Sequence, residues 1–302
     1  MADVTTRLRG SIAPLVTPFD TDGALDLPTL GRLIEHHVDA GSHGVSVTGT
    51  TGEPGALTLD ERLRMIDAAS ESLDGRLPFV PGTGTHQLPD TITITRRAAE
   101  AGADAALVIV PYYARPTQDG LYAWYSDLAA AVDIPILIYN IPSRTGVEIA
   151  PETVGRLWRD VPNIVGMKEA SPDFAHANFV LRETGPEFLL FSGLEALCFP
   201  LLAIGGAGFI SVTANLVPQE IARLYDAVAE GDWDQARELH FRLLDLNDVV
   251  LTETNPTAVK WLMSEAGAIG PTLRAPLVPL SEAGKRKVRA AAESWGLLER
   301  AR

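Results

Sequence analysis

Four lysines, Lys168, Lys260, Lys285 and Lys287, occur among 302 residues, and one of them stands where an amine nucleophile would be useful. Lys168 ends the apolar run I-V-G-M-K, and period-two alternation puts Ile164, Gly166 and Lys168 on one strand face, with Gly166 leaving space beneath the amine. A lysine enclosed in this way loses solvation, which lowers its pKa and supplies the neutral amine that attacks a ketone to form a Schiff base. The competing reading from placement alone is an ion pair with a buried carboxylate. Lys260, in N-P-T-A-V-K-W-L, reads as a surface or interface charge on a helix. Lys285 and Lys287 form a basic run with Arg286 and Arg289 that reads as a solvated helix face.

Other polar residues close apolar runs in the same way. Tyr139 ends the run before Lys168, and a phenol there can shuttle protons during carbinolamine formation and dehydration, although a strand-end tyrosine can equally be a core residue with a satisfied hydroxyl. Thr50 and Thr51, between Gly49 and Gly52, set two hydroxyls and several backbone amides in a tight loop that suits a small carboxylate, or simply a turn before a helix. Arg144 follows Tyr139 in a loop and is a candidate fork for a second carboxylate. The six histidines form no H-x-x-x-H pair, no G-x-S-x-G elbow occurs, and Cys198 is alone in an apolar run. Amine, phenol and hydroxyl chemistry remain, with no metal.

The elements that must hold these groups are eight short apolar runs, at Ser11–Thr17, Gly44–Thr48, Pro78–Gly82, Ala106–Val110, Pro135–Tyr139, Ile164–Lys168, Phe188–Ser192 and Gly208–Val212. They recur every 20 to 35 residues or so, the spacing of a strand, a helix and two loops, and they are apolar on both faces, as buried parallel strands are. The pattern predicts a (β/α)8 TIM barrel over residues 1–228, with its site at the carboxyl ends of the strands. A capping box, Thr58 with Glu61, predicts a helix over Leu59–Leu73 that buries Leu59, Leu63, Ile66, Ala69 and Leu73, and Ser171 before Pro172 reads as a helix N-cap. Residues 229–302 read as a helical extension packed on the barrel, with helices at Asp232–Leu251, Pro256–Glu265 and Glu282–Leu298. A doubly wound fold would need a glycine fingerprint after the first strand, and Thr17–Gly23 has none.

A net charge of −14 offers no general attraction to nucleic acid or to an anionic membrane. The uncharged stretch Ala196–Gln219 is long enough to span a bilayer, but Pro200, Gly205, Gly206, Gly208 and Pro218 divide it into a short helix, a turn and a strand. The segment M-A-D-V-T-T-R-L-R-G has no apolar core of a signal peptide, so a cytoplasmic location is expected.

Seven motifs then occur in order: A-P-L-V-T-P-F (Ala13–Phe19), G-T-T-G-E (Gly49–Glu53), P-Y-Y (Pro111–Tyr113), Y-N-I-P-S-R-T-G (Tyr139–Gly146), G-M-K-E-A (Gly166–Ala170), G-G-A-G-F-I-S (Gly205–Ser211) and N-P-T-A-V-K (Asn255–Lys260). With them the chain resembles the dihydrodipicolinate synthase / N-acetylneuraminate lyase family of class I, pyruvate-dependent aldolases along almost its full length. The resemblance implies an imine between Lys168 and pyruvate with no separate cofactor, and a pyruvate carboxylate held by Thr50 and Thr51. It also implies a proton relay from Tyr139 through Thr50 to Tyr113 of a neighbouring subunit. Gly193 and the carbonyl of Ile210 would line the substrate pocket. S-R-T-G is similar to the synthases of the family, in which the arginine, here Arg144, binds the carboxylate of aspartate semialdehyde. The implied reaction condenses pyruvate with L-aspartate-4-semialdehyde to 4-hydroxytetrahydrodipicolinate, on the route to diaminopimelate and lysine, in a homotetramer built as a dimer of dimers. The alternatives are another pyruvate-dependent aldolase or hydro-lyase acting on a 2-keto-3-deoxy acid or related oxo acid, and a non-enzymatic 2-oxo acid sensor, against which the intact relay argues.

Several positions depart from the synthase pattern: Leu194 and Glu195 follow Gly193 where an acidic pair is frequent, and Pro172 replaces a common glycine. Around the family's feedback site, Pro54 and Gly55 follow T-T-G-E, Leu59 and Arg62 replace histidines, and His86 replaces asparagine. Lysine is therefore expected to inhibit weakly or not at all; half-inhibition well below millimolar lysine in an activity assay would contradict this.

Overall fold

A computed structural model describes residues 6–298, so the first five residues of the N-terminal segment and the last four of the expected extension lie outside the described residues. Seven strands alternate with helices: β1 (Gly10–Pro14), α1 (Leu27–Asp39), β2 (Gly44–Ser46), α2 (Leu59–Leu73), α3 (Leu88–Glu100), β3 (Ala106–Ile109), α4 (Gln118–Ala131) and β4 (Ile136–Asn140). There follow α5 (Pro142–Thr145), α6 (Pro151–Asp160), β5 (Ile164–Glu169), α7 (Phe174–Thr184), β6 (Leu189–Ser192), α8 (Cys198–Ala203), β7 (Gly208–Ile210) and α9 (Pro218–Ala229). Helices α10 (Trp233–Val249), α11 (Thr257–Glu265) and α12 (Glu282–Ser294) complete the described chain. The strands form one sheet in the order β2-β1-β7-β6-β5-β4-β3, and every pairing is parallel.

The eighth expected strand, Pro78–Gly82, is reduced to two parallel bridges, Phe79 with Val45 of β2 and Gly82 with Leu107 of β3. Pro81 has no N–H to donate, and the Phe79 N–H is taken by the Asp104 carboxylate at 2.8 Å, so a regular ladder toward β3 cannot form. The segment nevertheless bonds to both ends of the row, through Val80 N and Gly82 N to Val45 O and Val47 O and through Leu107 N to Pro81 O.

One face of the sheet carries Ile12, Leu107, Leu137, Tyr139, Val165, Leu189, Phe191 and Ile210, and the other packs Val108, Ile138, Ile164, Met167 and Leu190 against helix residues such as Leu121, Leu157 and Val180. Ile164 therefore lies on the helix side and not, as strict alternation predicts, on the face of Lys168. A register shift explains this: Ile136 pairs Ile164 but Leu137 pairs Gly166, so Val165 is an extra residue and the phase of β5 reverses. Gly166 makes no space under the lysine. A Cβ there would lie 2.3 Å from Leu189 O and 2.8 Å from Leu137 Cδ2, so its missing side chain lets neighbouring strands approach.

The capping box of α2 is present in both directions. Its buried stripe is Arg62, Met65, Ile66, Ala69 and Leu73, while Leu59 is 41% exposed. Arg62 continues the stripe because its guanidinium donates to the carbonyls of Gly82 and Gly84. Ser171 is not an N-cap: the Glu169 carboxylate takes its amide at 2.6 Å, the chain bends at Pro172, and Asp173 caps α7. The uncharged stretch divides as expected into α8 and β7, and no helix among the described residues is long and apolar enough to cross a membrane.

The last three helices share one core with the sheet and its following turns, where Leu243, Leu246, Val259, Leu262 and Val288 join Leu15, Val16, Phe209 and Val212. Lys260 sits inside this junction and not at a surface or interface. It is 1% exposed, its ammonium lies 2.7 Å from Glu53 Oε1, and it donates to the carbonyls of Thr17 and Thr272. Burial pushes its pKa down and the Glu53 carboxylate pulls the other way. Removing one partner of such a pair leaves the other charge buried and uncompensated. Lys260→Met is accordingly expected to cost about 3–5 kcal/mol in urea unfolding; a loss below about 0.5 kcal/mol, the range of ordinary surface substitutions, would contradict the role given to this pair.

Candidate active site

The parallel register of β4 and β5 sets Tyr139 directly beside Lys168. Both are buried, and the Lys168 Nζ lies 4.5 Å from the centre of the Tyr139 ring. Gly193, at the end of β6, completes this floor. A Cβ on Gly193 would fall 2.6 Å from Lys168 Cε and 2.9 Å from Ala170 Cβ, so only a glycine leaves the lysine its course. Ile210, the last residue of β7, is buried on the same face of the sheet as Tyr139.

After β2 the chain enters a short 3-10 turn, Thr50–Gly52, closed by Gly52 N to Gly49 O and Glu53 N to Thr50 O. The amides that open such a turn have no partner inside it. The Thr50 hydroxyl is 3.4 Å from the Tyr139 hydroxyl, which joins the turn to the floor. Thr51 is buried, and its Oγ1 accepts from Asn255 Nδ2 at 3.1 Å. Glu53 leaves the turn in a left-handed conformation, φ +53°, with its carboxylate held by Lys260 Nζ and by the Arg274 amide. Thr17 Oγ1 donates to Gly52 O at 2.7 Å.

A cavity of about 400 Å³ opens above, lined by Thr50, Glu53, Ile109, Tyr112, Arg144 and Asn255 among others. Arg144 is exposed on α5, and its Nη2 donates to the Asn255 carbonyl at 3.3 Å. Tyr113 is different: it is 92% exposed, with φ +74°, and stands outside the buried group within one chain. Thus Lys168, Tyr139, Thr50 and Gly193 lie together, Thr51 follows Thr50 in the turn, Ile210 lies on the same sheet face, Arg144 lines the cavity, and Tyr113 is exposed outside the buried group.

Four supporting residues escape a reading from local pattern. Asn255 and Lys260 lie far along the chain from the turn they hold, and Glu53 belongs to a motif whose hydroxyls draw the attention. Glu195, which sequence analysis marks only as a departure, is a buried carboxylate that takes the Ser211 hydroxyl and, at 2.7 Å, the Val212 amide, tying the end of β6 to that of β7. Burial pushes its carboxyl up, against the hydrogen bonds from Ser211 and Val212 and the charge of Lys168. Among the described residues no group of three or more His, Cys, Asp or Glu is arranged to hold a metal ion.

Known proteins are similar to this chain over nearly its whole length. The model of the dihydrodipicolinate synthetase family matches residues 7–294. A 4-hydroxy-tetrahydrodipicolinate synthase of Thermus thermophilus is 50% identical over 291 residues, covering 96% of this chain and 97% of that protein. The crystal structure of dihydrodipicolinate synthase from Aquifex aeolicus superposes with a TM-score of 0.94 at 41% identity, over 96% of this chain and 99% of that one. A structure described as the first monomeric dihydrodipicolinate synthase variant gives 0.94 at 37% identity, over 98% and 99%. The chain belongs to the dihydrodipicolinate synthetase family.

Proposed function

We propose that the protein is a Schiff-base lyase that condenses pyruvate with L-aspartate-4-semialdehyde to give 4-hydroxytetrahydrodipicolinate, in the biosynthesis of diaminopimelate and lysine. The observation that carries this reading is the Lys168 amine against the Tyr139 ring, with the Thr50 hydroxyl next to the Tyr139 phenol. The Thermus thermophilus relative at 50% identity supports the same activity.

In this reading the neutral Lys168 amine attacks the keto carbon of pyruvate, and its proton passes to the new oxygen through the Tyr139 phenol. The resulting hydroxyl leaves as water when Tyr139 returns a proton, which forms the imine. Loss of a methyl proton gives the enamine, whose carbon adds to the aldehyde of the second substrate while the aldehyde oxygen takes up a proton. The amino group of that substrate then displaces Lys168 from the imine carbon, closing the ring and freeing the lysine. The opening amides of the Thr50–Gly52 turn and the hydroxyls of Thr50 and Thr51 receive the pyruvate carboxylate, with Gly193 and the Ile210 carbonyl bordering it. Arg144 receives the carboxylate of the semialdehyde.

Tyr113, almost fully exposed and on strained backbone, completes the relay of the adjacent subunit in a homotetramer built as a dimer of dimers. The bonds from segment 78–83 to both β2 and β3 support a closed (β/α)8 barrel over residues 1–228, with 229–302 as a helical region packed upon it. The imine on Lys168 removes any need for a separate cofactor, and the reading carries a cytoplasmic location with it.

Incubation with pyruvate and borohydride should leave a reduced adduct on Lys168 in a peptide map by mass spectrometry; an unmodified Lys168 would overturn the reading. Arg144→Ala is expected to keep that adduct and to lose roughly 10- to 100-fold in kcat/KM for aspartate semialdehyde, the worth of one charge-assisted pair. If sugar-derived 2-keto acids turn over faster than the semialdehyde condenses, the second substrate is wrong. Gly193→Ala displaces the lysine stem, so the folded variant should form the pyruvate imine about 100-fold more slowly, as measured by quenched trapping; trapping at the parent rate would show that the clearance at Gly193 does not set the position of the amine.

A further inference from the structure

On the opposite face of β4 and β5 from Tyr139 and Lys168, the same register pairs Asn140 with Glu169, and both are buried. Asn140 Nδ2 donates to the Glu169 carboxylate at 2.9 and 3.2 Å, and Ser171 N donates to Oε1. His176, on α7, brings Nδ1 to 2.7 Å from Glu169 Oε2, while its Nε2 lies 2.9 Å from the Ile149 carbonyl oxygen. The Ile149 amide in turn donates to Asn140 Oδ1. Three hydrogen-bonded links and the His176–Glu169 ion pair therefore connect these four residues and tie together two strand ends, one helix and the loop before α6.

Both ring nitrogens of His176 face oxygen atoms that only accept, so both must carry hydrogen and the side chain is an imidazolium. Burial opposes the charge, but the hydrogen bond and charge of Glu169 carry the pKa up to about 9, with Glu148 adding to it. A buried ion pair of this kind is poor evidence for stability, since well-packed apolar residues can do as well. What it supplies is geometry: the imidazolium stands between the Glu169 carboxylate and the Ile149 carbonyl, so turning it separates the ion pair or breaks the hydrogen bond. Asn140 and Glu169 are the chain neighbours of Tyr139 and Lys168, so a peptide rotation at either strand end would move phenol and amine apart.

We propose that His176 is a positioning residue, which through Glu169 and Asn140 locks the ends of β4 and β5 so that the Tyr139 phenol stays against the Lys168 amine on the other face. The inference rests on the imine reading above. It is tested by the rate of imine formation with pyruvate, measured by rapid borohydride quench and mass spectrometry over a range of pyruvate concentrations. His176→Phe keeps a ring and removes both donors, and His176→Gln returns an amide donor. In variants shown to be folded by near-UV circular dichroism, His176→Phe is expected to lower the limiting rate about 10- to 100-fold. The half-saturating pyruvate concentration should change less than about twofold, because the carboxylate is received on the separate turn after β2. His176→Gln should regain most of the rate.

A folded His176→Phe with the parent limiting rate, or a His176→Gln no faster than His176→Phe, overturns the inference. Should His176→Phe not fold, Glu169→Gln carries the same test: it keeps the shape, discharges the partner of the imidazolium and must lower the limiting rate, and a parent rate overturns the inference. An unmodified Lys168 in the parent protein would instead overturn the imine reading and the inference with it, so the two failures are distinguishable.

Discussion

The direction in which Lys168 points is decided by one extra residue in β5. With strict alternation from Ile164, which faces the helices, Lys168 would face the helices too, and Met167 would stand beside Tyr139. The register shift between Ile136 and Leu137 inserts Val165, and the rest of β5 turns over, so that Lys168 rather than Met167 pairs with Tyr139. Gly166 is the residue that permits this, because its Cα lies too close to Leu189 O for any side chain. The juxtaposition of amine and phenol, the clearance at Gly193 and the buried Asn140–Glu169 pair all follow from that phase.

Three buried carboxylates surround a site whose proposed substrates are anions, in a protein of net charge −14. Each is dealt with differently. Glu53 is paired with Lys260, Glu169 faces the His176 imidazolium, and Glu195 is pushed toward its neutral form by burial, against two hydrogen bonds and the charge of Lys168. In each case the carboxyl joins chain segments while its charge is compensated or suppressed, which leaves the exposed guanidinium of Arg144 as a cation lining the cavity.

What could be read from the sequence was what local pattern encodes. Seven of the eight apolar runs became strands because each is buried on both faces, and the box at Thr58 and Glu61 started its helix at Leu59 because both halves of that contact lie within four residues. The errors share a cause. Lys260 reads as a surface charge because its partner, Glu53, is 207 residues away, and Ser171 reads as a cap because the carboxylate that claims its amide is not part of any capping pattern. The phase of β5 fails for the same reason, since a bulge is invisible to a period of two. Tyr139, Lys168, Thr50 and Thr51 were legible as strand-end chemistry, whereas Asn255 and His176 come from other elements and Glu169, though next to Lys168 in β5, lies on its opposite face.

The turn after β2, proposed to receive the pyruvate carboxylate, is for this reason a joint product of the sheet and the helical region after it. Asn255 donates to Thr51 Oγ1, so that oxygen is used as an acceptor, and what Thr51 has to offer an incoming anion is its own O–H and its amide. The carbonyl of the same Asn255 takes the Arg144 guanidinium, so one residue from the helical region orients both the inner hydroxyl and the outer cation. Five residues on, Lys260 cancels the charge of Glu53, which lines the same cavity and would otherwise repel a carboxylate from the turn. A sheet with every strand residue in place but without the segment from Asn255 to Lys260 would present that turn with an unpaired Glu53 carboxylate and a Thr51 hydroxyl without its Asn255 partner, and would repel the carboxylate that the proposed reading places there.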